Sequence, residues 1–284
     1  MSSPSQEDDP QFVTVIADEK ETMNIKANRT TYLSNFLGYH EYFSLEMWRG
    51  AITELVATAT IIFALTGSVI SCLESTGSDP NLTVAFAVFV VGFLFLLVTI
   101  PLSGGHMNPA FTYIALLKGI ITCSRASAYV LAQCLGSTIG FLLLKAVISH
   151  QAVRKYSLGG CLIRDRTVPS SDLSPTSALV MEFSCTFAVL YVGVTVALDK
   201  RRSKELGLPM LCAIIAAIWA LAVFVSITIT GQIGYGGVGL NPARCLGAAL
   251  VEGGQLWYGH WVFWVGPFLA CTIYHVLSLT FPST

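Results

Sequence analysis

Six stretches of this chain, at about 51–73, 82–101, 126–147, 177–198, 208–230 and 259–280, are almost continuously apolar. A helix needs ~20 mainly apolar residues to cross a hydrocarbon core of ~30 Å, so each stretch is expected to be a span. Of 284 residues, 54% are hydrophobic and only 12% charged, with the apolar ones gathered in these blocks rather than at amphipathic intervals. Little chain is left for a soluble domain, and the expected fold class is an all-α membrane protein.

The blocks divide the chain. Residues 1–48 are polar, carry Glu7, Asp8 and Asp9, and lack the apolar core and small-residue cleavage site of a signal peptide. They are expected to form a mobile cytosolic tail. Residues 49–147 hold three spans, 148–176 a long extracellular loop, and 177–284 three more spans with a short cytosolic C-terminus. Short loops carry their Lys and Arg on the cytoplasmic side. Arg49, Lys118, Arg125, Lys200, Arg201, Arg202 and Lys204 then place both termini inside. Arg154, Lys155, Arg164 and Arg166 in the long loop dissent, beside Asp165 and Asp172.

Several classes are excluded. A net charge of -1 without a basic run gives no footprint for nucleic acid. No phosphate-binding loop or metal-ligand spacing is present, and His40, His260 and His275 are too scattered to be ligands. Neither a cofactor nor an enzymatic cluster is expected. Most of the eight cysteines fall inside spans as small packing residues, and there is no CxxC.

The two halves resemble each other. Glu54 and Thr58 in the first span recur as Glu182 and Thr186 in the fourth, and each half has a glycine-rich approach to Asn-Pro-Ala: SGGHMNPA at 103–110 and GGVGLNPAR at 236–244. Each half contains an odd number of spans, so the second copy enters the membrane from the opposite side. The repeat is inverted. The apolar run after each motif, 111–118 and 244–251, is about half the length of a span. At ~1.5 Å per residue each covers roughly half the core, so two re-entrant half-helices are expected to meet tip to tip. Irregular backbone at that depth is tolerated only when buried in protein or lining an aqueous cavity. A pore is therefore expected where the loops meet.

The residue types suit that role. Asn is a favoured N-cap and Pro a favoured first helical residue, so Asn108-Pro109-Ala110 and Asn241-Pro242-Ala243 each start a helix at the bilayer centre. The upstream glycines allow close backbone passage. Both half-helices aim about +0.5 charge at the lumen, which repels cations and relayed protons, while the Asn amides donate to neutral solutes. Arg244 is expected on the pore wall near the outer mouth, since an arginine at membrane depth must face a watery cavity. Glu54 and Glu182 are expected to brace the loops through backbone N–H groups. His106 is a candidate for the pore mouth or for loop bracing. A secondary transporter, the rival of another class, would need a coupling-ion site beyond two matched glutamates.

SGGHMNPA, GLNPAR and the paired Glu-x-x-x-Thr elements resemble the major intrinsic proteins over residues 50–280. NPARC at 241–245 with LGGC at 158–161 is similar to their X intrinsic protein branch, found in plants, fungi and some protists. The resemblance implies an aquaporin-like bundle, a homotetramer with one pore per subunit, and residence in the plasma membrane. It also implies a four-residue selectivity filter: Val88, Val238, Arg244, and on the fifth helix Ile229, or Thr228 if the connecting loop carries one extra residue. Val, Ile or Thr, and Val make a wider and more apolar throat than that of water-selective members. The expected solutes are glycerol, urea, hydrogen peroxide and boric acid with low water flux; the alternative is a water-selective pore. Cys161 is a candidate for a disulfide between subunits or for oxidant sensing. Cys245 is a site for modification or a filler of small space, and Ser203 in a basic loop at 199–207 is a candidate kinase site.

Overall fold

The computed structural model describes residues 33–75, 79–164, 173–230 and 236–281. Glu7, Asp8, Asp9, Asp165, Arg166 and Asp172 lie outside the described residues. All regular structure among those described is helical. Six helices are long and apolar enough to cross a membrane: α1 (Leu45–Glu74), α2 (Pro80–Ser103), α4 (Cys123–Val147), α6 (Pro175–Leu198), α7 (Lys200–Ile229) and the segment Gly254–Ser278. The last comprises a 3-10 turn and α9 (Val262–Ser278). The half-helices are α3 (Pro109–Leu117) and α8 (Pro242–Glu252), and a short α5 (His150–Tyr156) sits in the long loop.

Helix starts follow local chemistry. Asp79 accepts from the Asn81 N–H with Pro80 in the first turn, Ser174 does the same ahead of Pro175, and Thr122 caps α4. Gly104 ends α2 in the left-handed region at φ 94°. Only 33–39% of each span's most apolar stretch is buried. Phe86, Leu131 and Val147 face outward at 66%, 66% and 71% exposure. Such a surface needs lipid around it.

The packing is reciprocal. Within the halves α1 lies on α4 and α6 on α9, and α2 meets α7 across the centre. Each half-helix crosses over, α3 onto α9 and α8 onto α4, so each half supplies the floor for the other's re-entrant loop. Gly136 shows how tight the α1–α4 contact is: a Cβ there would stand 2.3 Å from the Leu55 carbonyl oxygen.

Two sequence expectations are corrected. The end of the supposed mobile tail is ordered and docked: residues 33–37 are helical and Tyr39–Phe43 form a 3-10 turn. Glu41 pairs with Arg125 at 2.6 Å, and Ser124 Oγ donates to the Leu37 carbonyl. Leu45–Trp48 already belong to the first span. The basic stretch at 199–207 is helical rather than a loop, from Lys200 to a break at Gly207 (φ 69°, ψ 167°), because Asp199 caps it through the Arg202 N–H. Ser203 lies on that turn, its N–H bonded to the Asp199 carbonyl.

Candidate pore

The two Asn-Pro-Ala segments meet as mirror partners. Asn108 Oδ1 accepts from the Ala110 N–H, and Asn241 Oδ1 accepts from Ala243 and Arg244, so each Asn side chain starts its half-helix. Pro109 and Pro242 occupy the first turns, with Ala110 and Ala243 buried behind them. The amide nitrogens cross over. Asn108 Nδ2 donates to the Leu240 carbonyl at 2.9 Å, and Asn241 Nδ2 donates to that of Met107 at 2.8 Å. Met107 and Leu240 adopt left-handed φ of 47° and 55°, which turns those carbonyls toward the opposite loop. Each amide keeps a second hydrogen. This interlock was not foreseen from the sequence, where a Met and a Leu carry no mark of unusual backbone.

The glutamates hold the loops from behind. Glu54 Oε1 accepts from Ser103 Oγ at 2.6 Å and from the His106 N–H at 3.0 Å; Oε2 accepts from the Met107 N–H at 2.6 Å and Gln133 Nε2 at 2.8 Å. Glu182 takes the N–H groups of Gly239 at 2.5 Å and Leu240 at 3.1 Å. Both side chains are fully buried. His106 Nδ1 bonds Thr112 Oγ1 at 3.1 Å, and the residue also lines the cavity.

A cavity of about 220 Å³ runs past these loops. Its wall is mostly apolar, with Val88 from α2, Val238 from the second loop, and Trp219, Val223 and Ile227 from α7. Arg244 stands in the same wall beside Asn108 and Asn241. Its guanidinium is fixed from the long loop: Nη2 donates to the Gly159 carbonyl at 2.8 Å and Nη1 contacts Cys161 Sγ at 3.1 Å. Among the described residues this engages two of its five donors.

The geometry of two capped half-helices around an apolar lumen has clear relatives. A model of the family described as "Major intrinsic protein" matches residues 41–276. The chain belongs to the major intrinsic protein family. It is 32% identical over 244 residues to the probable aquaporin PIP2-6 of Oryza sativa subsp. japonica, covering 81% of this chain and 82% of that one. To aquaporin TIP1-2 of Musa acuminata it is 34% identical over 230 residues, covering 79% and 83%. The aquaglyceroporin from Plasmodium falciparum shares the fold with a TM-score of 0.64 at 21% identity, over 82% of this chain and 98% of that one. As a member of this family the chain is a multi-pass membrane channel, not an enzyme.

The family register misplaces the fifth-helix residue. Ile229 is 68% exposed on the outer surface, and Thr228 is also exposed, its hydroxyl donating back to the Phe224 carbonyl. Neither lines the lumen; Ile227 does. Trp219, Val223 and Ile227 are spaced by four and share one helix face, whereas residues 228 and 229 are turned away by roughly 100° and 200°. The connection between α7 and the second Asn-Pro-Ala, which includes 231–235 outside the described residues, holds two residues more than a gapless register allows.

The expectations for Cys161 and Cys245 are also overturned. Cys161 is bonded to Cys245 within the same chain, across a sequence separation of 84, and both are buried. Cys161 is therefore not an exposed loop thiol free to bridge subunits, and Cys245 is not a mere filler. The bond packs against Gly239, where a Cβ would stand 2.3 Å from Cys245 Sγ and 2.9 Å from Cys161 Sγ. The LGGC segment thus reaches in from the long loop to fix both Arg244 and the turn behind it. LGGC and NPARC were singled out only as a joint resemblance; two cysteines so far apart in sequence do not announce their pairing.

Proposed function

We propose that this channel passes small uncharged solutes, namely glycerol, urea, hydrogen peroxide and boric acid, in preference to water, and excludes protons and cations. The observation that supports this most is the apolar arc of Val88, Ile227 and Val238 in the same wall as Arg244. Water moving past such an arc sheds hydrogen bonds that the wall does not replace, each worth about 1 kcal/mol net, and every 1.36 kcal/mol slows passage about tenfold. A solute with a carbon skeleton lays that skeleton on the valines and presents hydroxyls to Arg244 and the asparagines. The relatives are named aquaporins and the structural neighbour an aquaglyceroporin, so both water and glycerol belong in the test. The filter residues, the bracing role of Glu54 and Glu182, a homotetrameric assembly, a plasma-membrane address, cytosolic termini, and kinase control at Ser203 are part of the same proposal.

The test is stopped-flow light scattering on proteoliposomes, with an impermeant osmolyte and then with inward gradients of glycerol and urea. Solute permeability well above empty vesicles with little added water permeability supports the reading. Fast water flux without solute uptake would replace it with a water-selective pore, and uphill solute accumulation driven by an ion gradient would replace it with a secondary transporter.

A further inference from the structure

Trp219 is the bulkiest side chain on the cavity wall, and the proposed filter does not use it. It lies on α7 eight residues before Ile227, which at ~1.5 Å per residue is roughly 12 Å deeper along the helix. There it lines the lumen together with Asn108 and Asn241. Two neighbours fix the ring. Phe111, the third residue of α3, meets it edge to face with centroids 5.6 Å apart. On α2, Gly92 leaves room for its benzo edge: a Cβ at 92 would stand 3.2 Å from Trp219 Cε3 and 3.5 Å from Cζ3. The indole is thus backed by α2 and α3 while the residue is partly buried and lines the cavity. No described residue accepts from its N–H, so that donor is unused.

We propose that Trp219 is a second, size-determining aperture of the pore, in series with the valine arc and placed by the half-helix that carries Asn108. The arc selects by desolvation and Trp219 by cross-section. This inference rests on the solute-channel reading. Because Phe111 and Asn108 belong to one half-helix, three residues or ~4.5 Å apart along it, the indole and the Asn amide keep a fixed spacing, so a solute meets a flat apolar wall and a hydrogen-bond donor in close succession. Widening the arc alone leaves the size limit in place.

The experiment compares glycerol, erythritol and water permeabilities in proteoliposomes for the parent, W219F, W219A, G92A and I229A. Discrimination by an apolar wall runs to roughly 10-fold or more per methylene-sized change. The erythritol-to-glycerol ratio is therefore expected to rise about tenfold in W219A and less in W219F. G92A should push the ring into the lumen and lower the ratio, and I229A, on the exposed face of α7, should leave it within about twofold. If W219A does not assemble, W219F and G92A decide, because they must move the ratio in opposite directions. An unchanged ratio in the conducting Trp219 variants, or a shift of the same sign in W219F and G92A, overturns the proposal. Parent permeabilities alone judge the solute-channel reading. Should the parent admit only water, the same variants are scored on glycerol over water, with the same signs required.

Discussion

Replacing Glu182 with Gln or Ala tests how the pore loops are held. The Glu182 carboxylate faces two backbone donors, Gly239 and Leu240, one on each oxygen. Gln keeps the shape but turns one acceptor into a donor, so one buried N–H is left facing another N–H. An unsatisfied buried donor costs about 1–3 kcal/mol. Ala strands both, about 2–6 kcal/mol, before any loss of packing. At about 2–4 °C per kcal/mol for a chain of this size, Glu182→Gln is expected to lower the melting midpoint by about 2–12 °C, and Glu182→Ala by about twice as much. The free buried thiols Cys185, Cys212 and Cys271 provide the assay, since a thiol-reactive fluorophore lights up as they become accessible on heating. Glu54→Gln also strands one backbone donor, at His106 or Met107, because Ser103 or Gln133 can reorient to meet the new amide but a backbone N–H cannot. The loops are tied together through Asn108 and Asn241, so the double Gln variant should cost less than the sum of the singles, by about 0.5–3 kcal/mol. A Glu182→Gln midpoint within a degree of the parent, or an Ala variant no worse than Gln, would refute the assignment of these acids as braces.

Cys161→Ser should release the 158–161 segment from α8. Closing a loop with a sequence separation of 84 is worth up to ~4–5 kcal/mol in the chain-entropy description, so a lower melting midpoint is expected. A non-reduced peptide map should contain a Cys161–Cys245 species, and its absence would remove the bond. Ile227→His places a polar ring in the lumen and should raise the water-to-glycerol permeability ratio about tenfold, the equivalent of one gained hydrogen bond. Ile229→His, on the outer surface, should leave that ratio within about twofold; the reverse pattern would restore the gapless register.

What was legible in the sequence was what the repeat wrote twice. Asn108 and Asn241, Glu54 and Glu182, and the half-length apolar runs each have a counterpart, and a residue type that recurs at one place in two inverted copies has a reason beyond composition. Arg244 has no counterpart, but the cost of a buried cation left it nowhere except a wet wall. Ile227 was not legible because an apolar helix in lipid is apolar on every side, so periodicity cannot separate the lumen face from the outer face. A count along the chain through residues 231–235 fixes a position but not the direction in which its side chain faces. Trp219 was hidden for the same reason. The Cys161–Cys245 bond and the docking of residues 33–43 on α4 are contacts between segments far apart in sequence, for which local pattern carries no information.

The strained residues explain why the pore requires both halves at once. A left-handed backbone at a non-glycine residue costs about 1–3 kcal/mol, and Met107 and Leu240 each adopt it although glycines stand within three residues upstream, at 104 and 105 and at 237 and 239. Neither conformation serves its own loop: among the described residues, the carbonyl it turns out accepts from the opposite Asn amide. The N–H groups on those same residues are taken by Glu54 and Glu182, so each residue is gripped from behind by its own half and from in front by the other. With α3 resting on α9 as well as on its own half's α4, and α8 mainly on α4, a single half would lack part of the floor and the whole partner for its loop. The strain is therefore offset only in the assembled inverted pair, which ties the formation of the filter to completion of the whole bundle.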